Sequence, residues 1–152
     1  MHKNKDLEIF CVTEKHFNFF NDIKYKFAAV GKNNFPPNYI SCNTGENIFF
    51  KEEYYSELTF HYWFWKNLLH KYSSETWVGF CQKRRFWLQK KEDSNLIIDE
   101  NIKEKFLYKI PNEWENFEAI ICEPIHLSNP KLMKVLKRGF KNLLKDPSII
   151  FD

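Results

Sequence analysis

Glycine is scarce in this chain: only Gly31, Gly45, Gly79 and Gly139 occur in 152 residues. Any backbone geometry hostile to side chains must fall at one of them or at a tolerant asparagine. Apolar runs are short, none reaching the roughly 18 residues that would announce a membrane-spanning helix. The four cysteines, Cys11, Cys42, Cys81 and Cys122, form no C-x-x-C pair, and His2, His16, His61, His70 and His126 show no metal-ligand spacing. Both absences argue against an assembled zinc site. The P-loop, G-x-G-x-x-G and G-x-S-x-G strings are missing, and with them the usual sequence warrants for nucleotide triphosphate binding, dinucleotide binding and serine hydrolysis. The opening MHKNKDLE is polar and reads as no signal peptide, so a reducing, cytoplasmic setting is expected. Net charge is only +3, too small to argue for nucleic acid. No internal period suggests repeats.

What is present is aromatic. Phe, Trp and Tyr make up 18% of the chain, with 16 Phe, against 28% charged residues, which suits one globular domain with an aromatic core. Three cysteines, Cys11, Cys81 and Cys122, sit in apolar runs and are expected inside. Leu7–Thr13 (LEIFCVT) predicts a buried strand, Tyr25–Val30 a second, Thr76–Cys81 a third and Phe117–Cys122 a fourth. The EKHFNFFND stretch reads as a loop or short helix. Pro36-Pro37 places a loop after Gly31. Lys51–Tyr72 predicts one long helix, with Leu58, Tyr62, Trp65 and Leu69 on one stripe and Phe60, Trp63, Phe64 and Leu68 filling much of the rest, so Tyr62, Trp63 and Trp65 are expected in the core. Lys90–Asn95 reads as a polar linker and Asp99–Tyr108 as a short helix stopped by Pro111.

Asn129-Pro130 starts a last helix. Leu132, Val135, Leu136, Gly139, Phe140, Leu143 and Leu144 form its apolar face, and Lys131, Lys134, Lys137, Arg138, Lys141 and Lys145 its polar face. Two readings stand for it: a helix packed on the sheet with its lysines in water, or peripheral contact with an anionic membrane through Lys131–Lys145. Alternating strands and helices predict an α/β fold with a mainly parallel sheet. Ligands of such sheets bind beyond the carboxyl ends of the strands. The stretches to inspect are therefore Thr13–His16, Gly31–Asn34, Gln82–Arg85 and Glu123–His126.

Four stretches carry a family likeness: IFCVTEKHF, NTGENI at Asn43–Ile48, YYSELTFHYWFWKN and WVGFCQKRRFW. In them the chain resembles domain-of-unknown-function family 4422, glycosyltransferase-like proteins of capsular and exopolysaccharide gene clusters. The matching positions are Thr13, Lys15, Glu57, Leu58, Thr59, Tyr62, Trp63, Trp65, Lys66, Asn67, Gly79, Arg84, Arg85 and Phe86. The Y-W-x-W-K-N string is the most specific, and the likeness is tight over roughly the first 90 residues. Glu14 stands where the family usually has His, and Gln82-Lys83 where it has His-Tyr. Family members usually continue well beyond the length of this chain, so the resemblance implies a donor-side portion in 1–152 with an acceptor portion absent or supplied by a protein partner.

The resemblance implies a GT-A-like (Rossmann-like) fold that uses a nucleotide-sugar donor and a glycan or lipid-linked glycan acceptor in surface polysaccharide biosynthesis, at the cytoplasmic side. Enzymes of that type often hold a divalent metal on an Asp-x-Asp motif, and no Asp-x-Asp occurs here. Fixed guanidinium groups can serve instead, because they stay charged and fork onto phosphate oxygens. Arg84 and Arg85 are therefore the expected diphosphate ligands, against the alternative of a solvated charge cluster. Thr13 and Lys15 are the expected nucleotide contacts, and Glu57 the candidate base or sugar-hydroxyl ligand, against simple pairing with His61 at i+4. The competing function is a non-catalytic binding or partner module that keeps the fold. A nucleic-acid binder using the basic and aromatic residues of Lys83–Lys91 ranks last.

Overall fold

A computed structural model describes residues 6–90, 102–123 and 129–145, and the chain divides into two compact units, 1–116 and 117–152. The first unit holds the sheet. Its strands are β1 (Leu7–Thr13), β2 (Lys26–Ala29), β3 (Ile40–Ser41) and β4 (Trp77–Gln82). They lie in the order β3-β2-β1-β4, every pairing parallel. Among the described residues, helical segments accompany them: α1 (Glu52–Tyr55), α2 (Leu58–Asn67), α3 (Ile102–Lys105) and four short 3-10 turns. The fold is α/β and Rossmann-like, as the strand–helix alternation predicts.

β1 is central, and its sequence shows why. A parallel strand covered on both faces has to be apolar at successive positions rather than alternate ones. Ile9 and Cys11 point to one face, where they join Phe20, Ile23, Tyr25, Phe27, Cys81, Phe106 and Leu107. Phe10 and Val12 point to the other, with Ala28, Val30, Cys42, Phe60 and Phe64. The cores are built on aromatic contacts. Phe20 stacks on Phe27 at 4.6 Å between centroids, and Phe10 meets Phe64 edge-on at 5.1 Å. At the amino end of the sheet, the Glu8 carboxylate accepts two hydrogen bonds of 2.7 Å from Lys26 and one from the Tyr72 hydroxyl, tying β1 to its neighbours.

Several expectations are corrected. The helix predicted over Lys51–Tyr72 is broken at Ser56, whose backbone takes φ 48 and ψ -118, so α1 and α2 are separate and a 3-10 turn, Leu69–Lys71, follows. The buried face of α2 is Thr59, Phe60 and Phe64. The stripe of Leu58, Trp65 and Leu69 faces solvent, with Trp65 57% exposed rather than in the core. β3 lies inside the stretch expected to be loop, because two residues suffice to extend the sheet from β2. The expected strand Phe117–Cys122 is not one: it pairs with no other strand among the described residues, and Phe117 and Ile121 are exposed. Cys122 is exposed and Cys42 buried, the reverse of their apolar and polar surroundings in sequence. Of the helix expected at Asp99–Tyr108, only α3 is helical among the described residues, and Lys105 is followed by an isolated bridge from Phe106 to Leu88. The Lys90–Asn95 linker lies almost wholly outside the described residues, as do Pro124–His126 of the last stretch marked for inspection.

The second unit contains α4 (Asn129–Lys145), as the Asn-Pro start and the apolar periodicity predict. No helix among the described residues is long and apolar enough to cross a membrane.

Candidate functional site at the carboxyl edge of the sheet

Three strand exits converge at the carboxyl edge. At the exit of β1, Thr13 is fully buried. Its hydroxyl donates to the Lys15 carbonyl at 2.6 Å and accepts from the Lys15 N–H at 3.1 Å, which closes a tight turn. That turn leaves Lys15 exposed, its ammonium over the Phe17 ring at 5.4 Å. At the exit of β2, Gly31 takes φ +84, a left-handed geometry that suits glycine. The Glu52 carboxylate of α1 and the Glu14 side chain both lie within van der Waals reach of the space a Cβ would fill there. Asn33 fastens the same corner by donating from Nδ2 to the Glu14 carbonyl at 2.7 Å.

At the exit of β4 the chain reverses at once. Gln82 and Arg85 exchange backbone hydrogen bonds of 3.2 and 2.9 Å, so Lys83 and Arg84 form the tip of a two-residue turn. Lys83 folds inward to an ion pair with Glu14, its side chain only 15% exposed. Burial and the adjacent Arg84 charge push the Lys83 pKa down. Arg84 and Arg85 point to solvent and carry no ion pair among the described residues. The Glu14–Lys83 pair thus joins the exit of β1 to the turn after β4.

A third feature borders β3. The loop Asn43–Ile48 is gripped by one face of α2. Asn67 accepts from the Glu46 N–H at 3.1 Å and donates to the Glu46 and Trp63 carbonyls at 2.8 and 2.9 Å. Trp63 Nε1 donates to the Thr44 carbonyl at 2.7 Å, Tyr62 donates to the Glu46 carboxylate at 2.9 Å, and Lys66 pairs with that carboxylate at 3.0 Å. The hydrogen bonds from Lys66 and Tyr62 hold the Glu46 carboxyl below its usual range. Gly45, at φ +62, lies so close to Asn67 that a Cβ would overlap the amide oxygen. The Y-W-x-W-K-N string is therefore a loop clamp, with Tyr62, Trp63, Lys66 and Asn67 each assigned a bond. Motif likeness singled out these positions, but it gave no hint that their partner is the NTGENI loop.

Glu57 occupies the N-cap position of α2 without a side-chain capping hydrogen bond and is half-buried, and no described hydrogen bond or ion pair of its side chain joins it to the strand-end cluster. His61, four residues on, is pushed below its ordinary pKa by burial, with the Glu57 charge opposing, and lies against Phe80 at 4.5 Å between centroids. His16 and Tyr39 meet at 2.8 Å near the β1 exit, where burial pushes the tyrosine up to about 12. Sequence reasoning missed Glu52 and Tyr39, which carry no recognisable spacing, and reached His16 only as the end of the Thr13–His16 stretch. Lys83 was visible only as part of a charge run. Among the described residues no three His, Cys, Asp or Glu side chains converge as metal ligands.

An all-parallel sheet flanked by helices, with a cationic turn at its carboxyl edge, places the molecule among Rossmann-like α/β proteins. More particularly, the chain belongs to the family described as Domain of unknown function (DUF4422), which matches residues 8–148. No curated protein and no solved structure matches it.

Proposed function

We propose that this chain binds the nucleotide-diphosphate part of a nucleotide sugar at the carboxyl edge of the sheet, as the donor side of a GT-A-like glycosyltransferase of surface polysaccharide biosynthesis. The observation that carries the reading is the exposure of Arg84 and Arg85, two guanidinium groups without an ion pair among the described residues, on a hydrogen-bonded turn beyond a parallel strand, where ligands of such sheets bind. Lys83 is already neutralised by Glu14 and is a structural cation, so the phosphate-binding role falls to its two neighbours. The buried Thr13 shapes the turn, and Lys15 is the side chain it presents. In transfer, the bond from the anomeric carbon to the diphosphate oxygen breaks and the electron pair leaves with the diphosphate. Preorganised cations stabilise that developing charge. The acceptor hydroxyl bonds to the anomeric carbon and gives its proton to a base, for which the Glu57 carboxylate is the candidate.

The test is calorimetry with UDP and other nucleoside diphosphates, with and without Mn²⁺. Arg84→Ala and Arg85→Ala are each expected to weaken binding about ten-fold or more, the scale of a lost charge-assisted hydrogen bond. Unchanged affinity in both variants overturns the assignment. If no nucleotide or nucleotide sugar raises the melting temperature, as ligand binding to the folded state must, the fold is a non-catalytic partner module.

A further inference from the structure

α4 carries a second feature, one that does not depend on the nucleotide reading. Projected at about 100° per residue, the helix separates into two sectors. Lys134, Lys137, Arg138 and Lys141, with the positions of Lys131 and Lys145, occupy about 120° of the circumference. Leu132, Met133, Val135, Leu136, Phe140, Leu143 and Leu144 occupy about 180°, with Gly139 among them. No Asp or Glu occurs between Asn129 and Lys145. The apolar side chains are not buried: Leu136, Phe140 and Leu144 are 55, 64 and 69% exposed. Beyond its chain neighbours and the helix's own backbone, no atom of the described residues lies within 4 Å of the Cβ position of Gly139.

We propose that α4 lies in the plane of an anionic lipid bilayer, its apolar sector among the acyl chains and its cations at the headgroups. The charge pattern selects this occupant. A protein groove would cover the apolar sector but would leave an all-cationic flank unmatched unless it were itself acidic. A bilayer interface offers both an apolar layer and a continuous negative surface at the depth the lysines reach. At about 25 Å and with six cations the helix is suited to lying in the interface rather than crossing it.

The experiment is vesicle flotation of the full chain with phosphatidylcholine alone and with equal parts phosphatidylcholine and phosphatidylglycerol. Binding is expected only to the anionic vesicles and is expected to weaken as salt rises. Each of Lys134→Gln, Lys137→Gln and Lys141→Gln should lower partitioning about five-fold. Gly139→Leu enlarges the apolar sector without touching charge, and it should raise partitioning on anionic vesicles. That arm keeps the test decisive even where a loss-of-binding variant misfolds. Failure to float with anionic vesicles overturns the proposal, as does equal binding to neutral ones. A concentration-dependent dimer abolished by Phe140→Ser, with no flotation, would assign the face to a second copy instead. Neither arm reads nucleotide binding, so the two proposals fail separately.

Discussion

At the scale of single residues, the loop clamp accounts for the most specific string in the sequence. Asn67 makes three hydrogen bonds, two of them to the backbone of Glu46. Asn67→Ala should cost about 2 kcal/mol, given roughly 1 kcal/mol per net bond with partial solvent replacement. In thermal denaturation that is a fall of roughly 4–8 °C for a domain of this size. Gly45→Ala should be comparably damaging in the wild type, because its methyl would overlap the Asn67 amide and its φ is positive. In the Asn67→Ala background the overlap is gone, so a double-mutant cycle should return a coupling between the two positions. Additive losses would show that the clamp is not what fixes the loop. His61 supplies a pH signature. Burial favours its neutral form, so its folded pKa lies below the ordinary 6.5 although Glu57 pulls the other way. The unfolded chain therefore binds the proton first on acidification. Stability is complete above about 6.5 and falls as pH drops through the folded value. His61→Phe should flatten this part of the pH–melting curve. Glu8 acts in a lower window. Burial alone would raise its pKa, but the Lys26 and Tyr72 hydrogen bonds and the Lys26 charge outweigh it, so the carboxyl sits below 4.5. Its stabilisation is present above about 4.5 and is lost on further acidification. Persistence of the slope above pH 5 in His61→Phe would remove the assignment to His61.

At the scale of elements, what the sequence reveals depends on how many faces an element buries. β1 is apolar at successive positions because both of its faces are covered, and its limits were readable to the residue. α2 was harder, since aromatic residues surround it and periodicity cannot say which stripe goes inward. Phe60 and Phe64 are buried, while Trp65 and Leu58 are not. The break before α2 was unreadable because Ser56 is neither Gly nor Pro, yet it holds a backbone geometry that glycine adopts far more readily. Ser56→Gly should therefore stabilise the protein, by about 1 kcal/mol, through relief of that strain. A lower melting temperature for this variant would mean that the serine side chain contributes something the strain argument omits. The stretch Phe117–Cys122 failed in the opposite sense. Apolar, β-branched composition is necessary for a buried strand, but pairing decides, and this segment has no partner strand among the described residues. The candidate site was legible in outline, through the rule that strand exits carry ligands. The ion pair of Glu14 with Lys83 was not, because two residues 69 positions apart in sequence meet only once β1 and β4 are adjacent.

At the scale of the whole molecule, every buried side chain of the two cores among the described residues lies between Ile9 and Leu107, within the first unit. The cysteines are distributed over this arrangement in an informative way. Cys11 and Cys81 are register partners on adjacent strands and face one core, whereas Cys42 belongs to the other. Cys122 is exposed. Burial pushes the Cys42 thiol up, and the hydrogen bond with Cys11, together with burial, does the same to Cys81. Alkylating agents attack the thiolate, so these groups react only when their surroundings open. The molecule thus carries four chemical clocks, one running freely and three stopped. Pulse alkylation followed by mass spectrometry should modify Cys122 at once and the others at rates set by opening. If Cys42 runs ahead of Cys11 and Cys81, the α2 side of the sheet loosens first; equal rates for all three would mean that both sides are lost in a single cooperative event.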